Sequence, residues 1–350
     1  MPSPDIDDRL ERSGDTQRML FEEAQRRADA MQIAEARDAF QLAEEAGFNA
    51  DDCAAGRWTC HMLLGQFESA WKESDAIEGR GNPDPHRFWD GRPLDGRHVM
   101  IRCLHGLGDT LQYIRYAPFI RRCAATLIVE AQPPLQTLLE QAHIADTVIA
   151  WGDEEPFWDQ QIEIVELPRI FRTTIDSIPA TVPYIPVSGD TADMSSSEEP
   201  FLRVGLVWAS STFNPSRSFL LSQLAPLLGI PNISFFSFQA GEERGQLVHW
   251  SSRISNLYTE GQGVLETAIS MKTMDLVITV DTMTAHLAGA IGLEVWTLLP
   301  YACDWRWMLH RCDSPWYPTM RLFRQNTPGD WQGVTERVRS ELLAKLRQRI

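Results

Sequence analysis

Two short stretches of this 350-residue chain carry residue types suited to chemistry at a phosphate. In residues 105–112, HGLGDTLQ, the carboxylate Asp109 follows Gly106 and Gly108 and precedes Thr110. Glycines let a ligand come close to the backbone, and a carboxylate placed there can take the proton of an attacking hydroxyl if it lies within about 2.6–3.2 Å. Asp109 is equally well explained as a first-turn acid favoured by a helix dipole. In residues 280–290, VDTMTAHLAGA, Asp281 and Thr282 suit a helix N-terminus, Met283 follows, and His286 stands one turn after Thr282. A helix that opens at the carboxyl end of a parallel strand offers free N–H groups and a partial positive charge, a ready site for a phosphate. His286 can donate a hydrogen bond there or pack beneath the helix.

Such residues need strands and helices to aim them. Residues 275–280 are short, apolar and β-branched, and 294–299 repeat the type beyond Gly292, so the second motif sits in a strand–helix–strand unit. The first motif follows a similar run at 98–103, with a helix expected over 111–122, strands at 126–130 and 146–150, and a helix after Pro133-Pro134. A second alternating set has strands at 202–208, 233–238 and 254–258, with helices from Leu221 and over 264–272. A final helix is expected over 334–349. The glycine loop is not a dinucleotide fingerprint, because G-x-G-x-x-G would need glycine where Leu111 stands. The polar, Pro/Gly/Ser-rich stretch 181–200 reads as a linker between the two sets.

The first 80 residues differ. They hold 18 acidic and 9 basic residues, a net −9 of the chain's −16, and lack β-branched runs. Helices at 16–31, 33–46, 51–64 and 67–77, with turns at Gly47 and Gly65, suggest a two-helix repeat of about 34 residues, the tetratricopeptide range. In LLGQFESAWKE, Gly65 fits the tight turn, Ala70 the close helix contact and Trp71 the core. About two repeats are present, fewer than a free-standing solenoid needs. We therefore expect residues 1–80 to be a helical region, 81–190 and 191–350 two Rossmann-like domains, and Trp305 and Trp307 core residues by default.

Composition narrows the classes. The strongly negative charge argues against nucleic acid. No apolar run approaches the roughly 18–20 residues that a membrane helix needs, so a cytoplasmic protein is expected. Six scattered cysteines show no C-x-x-C pair and imply neither a disulfide framework nor a structural metal. Only three lysines occur, so arginine carries nearly all positive charge.

HGLGDTLQ and VDTMTAHLAGA, in that order on two successive Rossmann-like halves, resemble the signature sites of the ADP-heptose:lipopolysaccharide heptosyltransferases. FWDGRPLDG (88–96) and DWRWMLHRCDSPWYPTMRLFRQ (304–325) resemble bacterial members that place tetratricopeptide repeats before such a domain. The resemblance spans roughly residues 50–335. It implies the GT-B fold, two Rossmann-like domains facing across a cleft. It also implies inverting, metal-independent sugar transfer from a nucleotide diphosphate, with no cofactor, to a carbohydrate or protein acceptor. Asp109 then falls on the general base, and Gly106, Gly108, Thr110, Ser210, Ser211, Asp281, Thr282, Met283 and His286 on donor-side positions. The family's phosphate-contacting lysine is absent. Arg217 is the cation in 210–218, and Met283 replaces a common glycine. The other expectation is a non-catalytic interaction protein built on the helical repeats, which would bind a protein partner.

Overall fold

The structure, a computed structural model, describes residues 4–81, 88–89, 91–189, 202–210 and 214–349. It forms two compact units.

The first unit is helical. It contains α1 (Pro4–Asp29), α2 (Ile33–Glu45), α3 (Ala50–Leu63) and α4 (Phe67–Gly79), and takes in Arg169–Ile178 and Ala302–Arg311. These are antiparallel hairpins. Gly47 and Gly65 take positive φ at the two turns that the sequence marks, and Asn49 caps α3 by accepting from Asp51 and Asp52 N–H. Ala24, Ile33, Ala36, Phe40, Cys60 and Leu63 form its core. At Gly56 a Cβ would come within 2.6 Å of the Phe40 ring, so α3 approaches α2 only because no side chain is there. Arg57 is buried between Glu44 and Glu73. Trp71 is buried and donates its indole N–H to Thr173 O at 2.7 Å. Trp305 packs edge-on against the Trp58 and Phe67 rings, and Trp307 is fully buried. Trp305 therefore packs against the core of this unit, and Trp307 is buried, as expected of core residues.

The second unit is α/β, drawn from Phe88–Pro168, Pro179–Tyr301 and Cys312–Ile350. Its first half has β1 (His98–Arg102), α5 (Leu107–Tyr113), α6 (Ala117–Arg121), β2 (Thr126–Ala131), α7 (Gln136–Gln141), β3 (Thr147–Ala150), β4 (Gln160–Glu163) and α8 (Leu167–Ile170). Its second half has β5 (Leu202–Val207), α9 (Ala225–Leu228), β6 (Ile233–Ser237), β7 (Ile254–Asn256), α10 (Val264–Met271), β8 (Leu276–Val280), α11 (Met283–Ala290), β9 (Val295–Leu299), β10 (Met320–Arg324) and α12 (Trp331–Arg349).

All strand pairs in the two sheets are parallel. The orders are β3-β2-β1-β4 and β10-β9-β8-β5-β6-β7. Each is a doubly wound arrangement whose order reverses beside its first strand, between β1 and β4 and between β5 and β8. Ligands bind such sheets outside the carboxyl ends at these reversal points. β8 and β9 are buried along their whole length, as strands covered on both faces must be.

Three local expectations change. The helix expected over 111–122 begins at Leu107 and breaks into α5, a 3₁₀ turn and α6, where Pro118 cannot continue the hydrogen-bond ladder. The helix from Leu221 is a 3₁₀ turn followed by the four-residue α9. β4 and β10 carry no clear strand pattern, because Gln160-Gln161 and Arg321 interrupt the apolar residues.

Candidate functional site

The site is built where β1 and β8 end. After β1 the chain turns through Cys103–Gly106 into α5. Gly106 is the N-cap, in extended backbone, and Asp109 is the third helical residue. Asp109 Oδ2 accepts the Gly106 N–H at 3.1 Å, half of a capping box, and the side chain remains half-exposed. The capping contact thus fixes the loop on which Asp109 stands. Thr110 is fully buried, and its hydroxyl donates to Gln132 Oε1 at 3.0 Å, while Gln132 donates to His105 O at 2.7 Å. Thr110 therefore supports the loop from below.

After β8, Thr282 caps α11, its Oγ1 accepting from Thr284 N–H at 3.2 Å. Asp281 is buried; Met283 is half-buried at the helix start. Arg217, on the loop after β5, comes within 3.5 Å of both the Asp281 carbonyl and its carboxylate. It thus sits beside the positive end of α11. Ser210 is engaged within its own loop, with its N–H on Ser218 Oγ and its hydroxyl on Asn214 O. Ser211 lies outside the described residues.

The two motifs meet. A Cβ on Gly108 would stand 2.8 Å from His286 Cδ2 and 3.5 Å from its Nε2, so the imidazole edge rests directly on the glycine loop that carries Asp109. His286 is buried, with Nδ1 2.9 Å from the Tyr317 hydroxyl. The loop of the first sheet and the helix start of the second are therefore neighbours, and Gly108 is required by a close approach.

Two residues that the sequence reading passed over are part of this arrangement. Gln239, buried after β6, accepts the Trp208 and Ala209 N–H groups, both at 3.0 Å, and so sets the course of the loop leading to Ser210. Glu163 ends β4, on the other side of the first sheet's reversal point from the Asp109 loop. It is fully buried and accepts the Leu104 and Val165 N–H groups, with His105 Nε2 3.8 Å away. Burial pushes its carboxyl up to about 7, against the pull of those two N–H groups and with added repulsion from Glu166 and Asp109. A lone glutamate between Ile162 and Ile164 gives no sequence signal for this. Its consequence is measurable. The folded chain holds this proton more tightly than the unfolded chain, so its contribution is complete below pH 4.5 and is lost as pH rises through about 7. The difference is on the order of 3 kcal/mol. In urea titrations at stepped pH, Glu163→Gln should flatten this fall; an unchanged pH slope would assign it to other groups.

No family model matches the chain. Its fold is that of known glycosyltransferases. The Escherichia coli ADP-heptose lipopolysaccharide heptosyltransferase II superposes with a TM-score of 0.54 at 13% identity, over 72% of this chain and 99% of that one. A family 9 glycosyl transferase from Veillonella parvula gives 0.55 at 11% identity, over 74% and 98%. Among curated proteins the chain is similar to Protein FlbA of Caulobacter vibrioides, 25% identical over 329 residues, covering 82% of this chain. It spans 54%, about half, of FlbA's own length. Among the described residues no helix is long and apolar enough to cross a membrane.

Proposed function

We propose that the chain is an inverting glycosyltransferase of GT-B arrangement that uses a nucleotide-diphosphate sugar, without a metal, to modify a carbohydrate or protein acceptor. The observation that carries this reading is the contact between Gly108 and His286, which brings a loop bearing a carboxylate against a helix start suited to phosphate. The acceptor hydroxyl attacks the anomeric carbon from one face as the bond to the diphosphate breaks on the other. The hydroxyl proton passes to Asp109. The N–H groups at the start of α11, with Arg217 and His286, take up the charge of the leaving diphosphate. Thr282 shapes that helix start. We place the helical unit, as tetratricopeptide-like hairpins, outside donor binding and available to a protein partner, and we place the reaction in the cytoplasm.

A thermal-shift screen of nucleotide-diphosphate sugars tests this. A true donor at about 100 times its Kd stabilises by about 2.7 kcal/mol, raising Tm by several degrees. Calorimetry on the best hit should then show His286→Ala and Arg217→Ala each weakening binding about ten- to a hundredfold, the loss of a hydrogen bond to a charged group. A wild-type protein that binds no nucleotide sugar would transfer the weight to a non-catalytic interaction role.

A further inference from the structure

His286 is held by a residue outside both loop motifs. Tyr317 lies between β9 and β10, and its hydroxyl is 2.9 Å from His286 Nδ1. Its ring rests on α11 at Gly289, where a Cβ would come within 2.4 Å of Tyr317 Cδ1. Gly289 follows His286 by three residues, on the same helix face. Behind Tyr317 is Arg115, only 3% exposed, with its guanidinium carbon 4.6 Å from the Tyr317 ring centre and 4.5 Å from that of Tyr184.

The protons can be followed along this chain. A guanidinium only donates, so Tyr184 Oη accepts from Arg115 at 2.9 Å and gives its own proton to Leu111 O at 2.7 Å. The Tyr317 hydroxyl then has Tyr184 Oη at 3.5 Å and His286 Nδ1 at 2.9 Å, and the second is much the better acceptor geometry. The cation against its ring makes the phenol a stronger donor. A nitrogen that accepts this proton carries none of its own.

We propose that Tyr317, seated on Gly289 and backed by Arg115, is a positioning residue that holds His286 as the tautomer protonated on Nε2, on the ring edge that meets the Asp109 loop. An Nε2–H can donate to a phosphate oxygen. The opposite tautomer would offer that oxygen a lone pair. The use of the proton rests on the transferase reading; the tautomer itself does not.

The test is a long-range ¹H–¹⁵N correlation spectrum of the ligand-free, ¹⁵N-labelled full chain, with His286 assigned by its absence in His286→Gln. The expected spectrum has an unprotonated Nδ1 and a protonated Nε2. Tyr317→Phe, which keeps the ring on Gly289, should shift both signals toward a mixture of tautomers. A protonated Nδ1 in the wild type, or a wild-type pattern in Tyr317→Phe, overturns the assignment, and the wild-type spectrum decides it even if the variant does not fold. Pyrophosphate added to the wild type then separates the two readings. Movement of the Nε2 signal supports both, whereas a His286 unmoved by pyrophosphate but with the expected tautomer upholds the positioning and counts against donor binding.

Discussion

Asp109→Asn is expected to lower turnover by about 10²–10⁴-fold while leaving nucleotide-sugar affinity within about threefold of wild type. The substitution is nearly isosteric. An amide oxygen can still accept the Gly106 N–H that Asp109 Oδ2 now accepts, so the start of α5 and its contact with His286 should survive. What is lost is basicity: an amide cannot take the acceptor's proton as the new bond forms. Because that proton moves only during attack, the loss appears in kcat and hardly in binding. Calorimetric titration and turnover on the same preparations separate the two. Normal turnover would reduce Asp109 to a helix-capping acid. The base would then be sought at His105, whose Nε2 lies 3.8 Å from the buried Glu163.

The parts of this molecule that were legible from sequence are those written in local pattern. The four N-terminal helices follow from apolar spacing and two glycine turns, and eight of the ten strands among the described residues from short apolar or β-branched runs between turn residues. Asp109, Thr282 and His286 were visible because a carboxylate after glycines, and a hydroxyl one turn before a histidine, are local arrangements. What was hidden depends on partners far along the chain. β4 becomes a strand because β1 offers it an edge, despite two glutamines. Trp305 joins the helical unit through rings almost 250 residues earlier. Tyr317 reaches His286 only because Gly289 clears its path, and that glycine looks like any other in a helix of small residues. The Ser210 hydroxyl suits a phosphate by type, but the loop's own geometry engages it with Asn214 O.

Arg115→Leu should destabilise the α/β unit by about 3–5 kcal/mol, the other large effect expected here. Arg115 donates to the carbonyls of Gln112, Pro179 and Trp316 and to the Tyr184 hydroxyl. Leucine leaves these acceptors without their donor in a buried place, at about 1–3 kcal/mol each. Removing the guanidinium also relieves the several kcal/mol that its own burial costs, which brings the net below the simple sum. No carboxylate is among these partners, so the variant leaves no unpaired anion. Its effect therefore measures how well four neutral acceptors and the rings of Tyr184, Tyr317 and Trp316 hold a cation. Arg115→Lys keeps the charge but not the planar fork, and should recover less than half of the loss. The acceptors come from the end of α5, from the 179–184 segment and from the stretch before β10, so this one side chain ties the helix after β1 to elements of the second half. If the two sheets hold the site together through that tie, Arg115→Leu should weaken nucleotide-sugar binding at temperatures where the chain is still folded. Urea unfolding followed by tryptophan fluorescence gives the stability, and calorimetry the affinity. A loss under about 1 kcal/mol would mean that water replaces the guanidinium at these carbonyls, and that the contact between Gly108 and His286 is maintained by packing alone.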